Sequence, residues 1–121
     1  MNMMRTLLVV VTLILSGTAI AQNEAKEPGF EKQGDLIKAT FYYENGNIRQ
    51  EGTYKDGKLH GKWISYDEEG SKRAIAQYDH GKKTGKWFFW SGDTLREVTY
   101  ENSRVASVNN RLIEGSRLSK Q

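Results

Sequence analysis

One segment of this chain occurs twice. The two copies are residues 54–66 (YKDGKLHGKWISY) and residues 78–90 (YDHGKKTGKWFFW), so the pattern that begins at Tyr54 begins again at Tyr78. A fixed period of about 20–50 residues is typical of an array whose units bury their apolar surface only by stacking on their neighbours. The glycines, lysines and aromatic residues recur with this period, so the first explanation for them is a structural role in the repeat, and a chemical function comes second.

The N-terminal segment 1–21 has the pattern of a signal peptide. Arg5 precedes an apolar run over residues 7–15, and Ala-Ile-Ala at 19–21 is a typical cleavage site. We therefore expect cleavage after Ala21 and export to a periplasmic or secreted location. The chain contains no cysteine, so we expect neither a lipoprotein nor disulfide bonds.

The composition of the chain after the signal peptide argues against one large class of partner, nucleic acids. Loss of Arg5 leaves 17 of the 18 basic residues against 15 acidic ones, which is close to neutral. A nucleic-acid-binding domain usually carries a clustered basic stripe, so no nucleic-acid partner is expected. Along the mature chain we predict a flexible leader at 22–35, a repeat sheet at 36–109 and a polar tail at 110–121. The alternative for the tail is that its few apolar residues fold back as a cap: Leu112, Ile113 and Leu118.

Strand and turn signals alternate through the repeat region. Asn45-Gly46 and Asp56-Gly57 are strong two-residue hairpin turns, because both positions accept positive φ at low cost. The predicted strands are 36–44, 47–55, 58–66, 71–79, 82–90, 94–101 and 104–109. The fold prediction is all-β: a single-layer antiparallel meander of hairpin repeats with about six to seven strands.

These turns also predict how the strands align. Two-residue turns place Lys55 opposite Lys58 and Asp79 opposite Lys82. Carried across the sheet, they predict a transverse row of small residues flanked by aromatic rows: Ala39, Gly52, Gly61, Ala76, Gly85 and Val98. The opposite face is expected to be solvated, with Arg49 and Arg73 beside Ile64 and with two facing ion pairs, Glu51–Lys62 and Lys86–Glu97.

The repeated unit, Tyr-x-(Asp/His)-Gly-Lys-x-x-Gly-Lys-Trp, resembles the MORN repeat in its bacterial variant form. The resemblance covers about 38–103 and implies an elongated single-layer sheet without catalytic residues. Its structural positions in this chain are Gly46, Tyr54, Gly57, Gly61, Gly70, Tyr78, Gly81, Gly85, Gly92 and Tyr100. The last unit is degraded, with Asn109 where tryptophan is expected, as in the terminal unit of an array.

The aromatic residues form the predicted interaction surface: Phe41, Trp63, Trp87, Phe89 and Trp90. Two interpretations stay open, because these rings could cover the small-residue row as the core or could line a ligand groove. Phe89 and Trp90 exceed what the first copy requires, since Ser65 and Tyr66 occupy their places there. They are therefore the best candidates for a function particular to this chain.

Other functional motifs are weak. His60 and His80 occupy different phases of the repeat, so we expect no converging pair and no metal site. No catalytic or cofactor-binding residues are expected, and the protein is predicted not to be an enzyme. The lysines near the turns are either a basic edge for anionic headgroups or solubilising residues: Lys58, Lys62, Lys82, Lys83 and Lys86.

The expected function is that of an exported, non-catalytic interaction module. The MORN resemblance implies protein binding, so the expected partner is another protein. A glycan or a phospholipid headgroup is the alternative ligand. Exposed first and last strands also make edge-to-edge self-association possible.

Overall fold

Residues 26–113 are described by the computed structural model, and they form ten strands. The expected signal peptide, its cleavage site and Leu118 lie outside these residues. Within the described part, no helix is long and apolar enough to cross a membrane. In chain order the strands are β1 (Gly29–Gln33), β2 (Leu36–Tyr42), β3 (Ile48–Lys55), β4 (Lys58–Leu59), β5 (Gly61–Tyr66), β6 (Lys72–Asp79), β7 (Lys82–Lys83), β8 (Gly85–Ser91), β9 (Thr94–Glu101) and β10 (Arg104–Leu112).

All paired strands are antiparallel and belong to one open sheet with the order β1-β2-β3-β5-β6-β8-β9-β10. The two-residue strands β4 and β7 pair with β3 and β6. Tight turns produce this sequential order. Asp56 and Gly57 have φ of 50° and 75°, and His80 and Gly81 have φ of 49° and 85°. Positive φ at both positions is the type I′ conformation, which matches the twist of a hairpin. The prediction of an all-β antiparallel meander is confirmed.

The predicted number of strands was too low, in part because the sheet begins with an additional strand, β1. Strand β1 lies inside the segment that we expected to be a flexible leader. A turn at Gly34, whose φ is 63°, folds β1 onto β2, and Phe30 packs edge-on against Phe41 with ring centroids 6.1 Å apart. At the other end β10 continues to Leu112 instead of ending at residue 109.

Bulges inside two of the predicted strands account for the remaining difference. Gly61 and Gly85 have φ of 83° and 66°, which interrupts the regular ladder before β5 and β8. Before the first bulge Tyr54 pairs with Leu59, whereas beyond it Glu51 pairs with Ile64. The alignment therefore moves by two residues at each bulge.

This shift corrects the predicted transverse row. Gly61 pairs with Tyr78 and Gly85 pairs with Tyr100, so neither glycine lies in the row of small residues. The tryptophans take those places: Trp63 pairs with Ala76 and Trp87 pairs with Val98 in the row Ala39, Gly52, Trp63, Ala76, Trp87 and Val98. Because a shift of two keeps every side chain on the same side of the pleat, the face predicted for the residues of this row is correct although their alignment is wrong.

The core lies on one side of the sheet, which we call the aromatic face. Trp63 and Trp87 are only 2% and 6% exposed. The indole of Trp63 covers Gly52 so closely that a Cβ there would lie 2.1 Å from its Cδ2 atom. Tyr54 and Tyr78 pack against the two indoles with ring centroids 5.0 and 5.1 Å away. With one sheet present, these rings replace a second layer.

Replacement of Gly52 by alanine should destabilise the protein by about 1–3 kcal/mol, because the added methyl group collides with the buried Trp63 ring. The measurement is the free energy of unfolding in urea. Gly29→Ala is the matched control, since a Cβ at this strand glycine meets only the Tyr42 hydroxyl at 3.9 Å. Equal stability of the two variants would contradict the role given to Gly52.

Candidate functional site

The buried tryptophans are not available for a partner. Trp63 donates its indole N–H to the Thr53 carbonyl at 2.9 Å, and Trp87 donates to the Gln77 carbonyl at 3.0 Å. Both side chains are core residues, so their assignment to an interaction surface is corrected. Phe41 is half-buried and packs against the core cluster.

Phe89 and Trp90 extend from opposite faces of β8, because consecutive residues of a strand point to opposite sides. Phe89 lies on the aromatic face with its ring centroid 6.1 Å from that of Trp87. Trp90 lies on the opposite side, which we call the outer face, and stacks on Phe88 at 6.3 Å. Both rings line one depression beside Arg49 and Arg73, whereas of the two only Phe89 also lines a depression next to β10.

The last repeat lacks the tryptophan that covers the earlier ones. Val108 on β10 pairs with Val98 on β9. At the equivalent position of the two preceding units, Trp63 lies beside Gly52 and Trp87 lies beside Ala76. The predicted equivalence of Asn109 to tryptophan is wrong by one residue, because a bulge between Val105 and Ser107 shifts the ladder. A small valine therefore replaces an indole at this end of the sheet.

An apolar strip is exposed as a result. Val105, Val108 and Leu112 are 57%, 55% and 78% exposed, and they pair with residues of the aromatic face on β9. Strand β10 is exposed at every position and is the outermost strand of the sheet. Among residues 26–113 no strand pairs with its outer edge, which can therefore offer backbone hydrogen bonds next to these side chains.

A depression of about 400 Å³ adjoins this strip, and we call it the terminal cleft. Its lining residues are Phe89, Ser91, Thr94, Arg96, Val98 and Tyr100. Arg96 donates a hydrogen bond to the Asn110 Oδ1 atom at 3.1 Å, which ties β10 to the cleft wall. The terminal cleft and the apolar strip together are the candidate functional site. Sequence reasoning found Phe89 and predicted a strand at 104–109, but it did not assign the side chains of that strand to the site, because exposed residues of an edge strand carry no burial pattern.

A second depression lies near the turns, and two arginine side chains line it. We call it the arginine depression. Arg49 and Arg73 line it together with Tyr43, Gln50, Ser65, Tyr66, Ala74, Phe89 and Trp90. Phe41 pairs with Gln50, but the next residue, Tyr42, pairs with Ile48, so Arg49 is the extra residue of a bulge. Arg73 has the same place between the pairs made by Ala74 and Lys72. These bulges bring both arginines beside residues of the aromatic face, whereas the sequence predicted a solvated outer face.

The turn lysines have mixed environments. Lys83 lies over the rings of Trp87 and Tyr100, with its Nζ atom 5.0 and 5.2 Å from their centroids, so it covers the core. Lys86 forms an ion pair with Glu97 at 3.3 Å. This pair is diagonal, because Glu97 pairs with Phe88 in the ladder.

The predicted pair of Glu51 and Lys62 does not form, since the bulge places Glu51 opposite Ile64. Glu51 instead accepts a hydrogen bond from the Tyr66 hydroxyl at 2.8 Å. Burial raises the pKa of Tyr66, and the hydrogen bond and negative charge of Glu51 raise it further.

Replacing Glu51 by glutamine should lower the pKa of Tyr66 toward about 10, the usual value for tyrosine. A raised phenol pKa contributes stability below about pH 10 that is lost as the pH rises through the folded-state value. Tyrosine NMR signals followed through an alkaline titration measure this change. The pKa of Tyr78 is the internal control, because burial and the charge of Tyr100 raise it without Glu51.

Two histidines that the sequence placed in different repeat phases lie together. The rings of His60 and His80 have centroids 4.7 Å apart, and Asp79 Oδ1 lies 2.5 Å from His80 Nδ1. The expectation that the histidines do not converge is therefore wrong. The hydrogen bond from His80 is the main cause of a lowered Asp79 pKa, and the charges of His80, His60 and Lys82 add to it. We call these three residues the histidine cluster: His60, Asp79 and His80.

The fold defines a class of protein: an open, single-sheet array of hairpin repeats with a tryptophan core on one face. A family model for the MORN repeat variant matches residues 37–56 and 59–80, so these two segments are similar to repeats of this family. The next hairpin repeats their geometry at Gly85 and Trp87. MORN repeats are generally associated with binding and interaction modules. No curated protein and no solved structure matches the chain.

Proposed function

We propose that this protein is an exported, non-catalytic interaction module that binds an extended segment of another protein at the terminal cleft and β10. One observation carries the proposal: within residues 26–113 the sheet ends in an exposed strand, β10, and no indole covers its apolar side chains. The signal-peptide pattern at 1–21 supports the exported location.

The recognition chemistry follows from an open strand edge. An added strand can form backbone hydrogen bonds with β10, while its alternate side chains contact the aromatic face. Val108 and Leu112 would contact apolar side chains of that segment. An aromatic residue would fill the place over Val98 that an indole occupies in the preceding units, between Phe89 and Tyr100.

Val108→Lys should reduce partner binding at least about tenfold, because it puts a charge into the apolar strip. Asn109→Lys is the matched control: the residue is also exposed on β10, but it pairs with Glu97 and so faces the other side. A photo-crosslinking residue placed at 108 or 109 in the full chain, in the native envelope or secreted fraction, measures proximity directly. Crosslinks of equal yield at both positions, or undiminished binding by Val108→Lys, would overturn the proposal.

The arginine depression favours a second candidate, an anionic ligand such as a phospholipid headgroup. Arg49 and Arg73 line it with the polar side chains of Gln50 and Ser65. Each arginine near an anionic surface contributes about 1 kcal/mol. The glycan alternative has less support, since Trp63 and Trp87 are covered and cannot stack on a sugar.

If headgroups are the ligand, binding to anionic vesicles should fall steeply with salt and should be lost in the double variant Arg49→Gln, Arg73→Gln. Arg104→Gln, an exposed change on β10, is the control and should leave vesicle binding unchanged. Vesicle co-sedimentation at low and physiological salt makes the measurement. Vesicle binding that both variants retain would remove this candidate.

A further inference from the structure

The histidine cluster is formed by two neighbouring turns of the sheet. His60 precedes the bulge glycine Gly61, while Asp79 and His80 begin the turn between β6 and β7. The backbone holds the turns together, because the Gly81 N–H donates to the Leu59 carbonyl at 2.7 Å. The His80 N–H also donates to His60 Nδ1, at 3.2 Å. The backbone of these two turns therefore fixes the positions from which the His60 and His80 side chains extend.

The side chains of this cluster converge on one volume. Asp79 Oδ1 lies 3.8 Å from His60 Nδ1 and 2.5 Å from His80 Nδ1. One ligand atom from each of the three residues lies within 4.8 Å of the other two. Ligands at the usual 2.0–2.2 Å from a tetrahedral cation are about 3.3 Å apart, so small side-chain rotations close the set.

The repeat does not require these residues. Thr84 takes the place of His60 in the following hairpin, with the same backbone hydrogen bond from its N–H to the carbonyl across the bulge. Asp56 and Asn102 take the place of His80 in the neighbouring turns, with φ of 50° and 49° against 49° for His80. The histidines are thus additions to a turn that other residues form equally well.

We infer that the histidine cluster binds a divalent transition-metal cation of the Cu²⁺ or Zn²⁺ type. Two imidazoles and one carboxylate are the ligands that these cations prefer, whereas Ca²⁺ and Mg²⁺ require oxygen atoms. Cation binding exchanges two hydrogen bonds for bonds to the metal: the His80–Asp79 bond and the bond that His60 Nδ1 accepts from the His80 N–H. The His80 side-chain proton moves from Nδ1 to Nε2 or to solvent, and the His80 backbone N–H turns to solvent. His60 is half-buried and held in place, while Asp79 and His80 are exposed and can adjust. Cu²⁺ should bind more tightly than Zn²⁺.

Calorimetric titration of the full chain, with any polyhistidine tag removed, tests this inference. The expected result is one saturable equivalent of Cu²⁺ or Zn²⁺, with the NMR signals of the His60 and His80 rings shifted by Zn²⁺ and broadened by Cu²⁺. His60→Thr and His80→Asn use residues that this protein places at equivalent positions, so the fold should be retained. Each should weaken the metal affinity at least about tenfold.

Asp56→Asn is the matched control, because it removes a turn carboxylate that belongs to no group of possible metal ligands among the described residues. It should leave metal affinity unchanged. Far-UV circular dichroism checks the fold of every variant. Absence of saturable binding, or equal affinity in the wild type and both histidine variants, would overturn the inference.

Discussion

The hydrogen bond from each buried indole to a backbone carbonyl determines the geometry of the sheet. Thr53 O accepts both the His60 N–H and the Trp63 indole N–H, and Gln77 O does the same for Thr84 and Trp87. A single layer can bury a tryptophan only by laying it over its own strands, where the indole N–H still needs a partner. The bulge at the glycine supplies that carbonyl and brings the ring over small residues. Core, alignment and glycine positions thus have one cause.

This cause explains which features could be predicted from the sequence. The turns at Asp56 and His80 and the separation of the two faces depend on local φ preferences and on alternation with period two, and both can be read from residue types. The alignment across the sheet depends on an indole contact that no local pattern reports. The error of two residues at the glycine bulges left the predicted faces correct there. The one-residue bulges at Arg49 and Arg73 instead brought those two side chains beside the aromatic face, against the prediction.

The ends of the sheet were hardest to predict, for a related physical reason. Strands β1 and β10 are exposed on most of their length, so neither has the alternation that indicates burial. They pair because the outermost strand of a growing ladder has free backbone groups, which almost any sequence can satisfy. The candidate functional site at β10 has the same origin. Backbone hydrogen bonds add β10 to the sheet, although this strand provides no tryptophan to cover the strand before it. Val108 then stands where the pattern demands an indole, and its neighbours stay uncovered.

The histidine cluster shows why position within a repeat is a poor guide to spatial neighbours. His60 and His80 are 20 residues apart and occupy different positions of the unit, yet their turns touch. The Ser103 N–H reaches the Lys83 carbonyl over the same separation, and Tyr43 reaches Tyr66 over 23 residues. In a meander of hairpins, every second turn lies on the same side of the sheet, so a turn contacts the turn about one repeat away. Residues separated by slightly less than the period therefore meet at the sheet margin, where substitutions are free of packing constraints. A search for function in such arrays should compare residues across this spacing, because a pair there can be gained without disturbing the core.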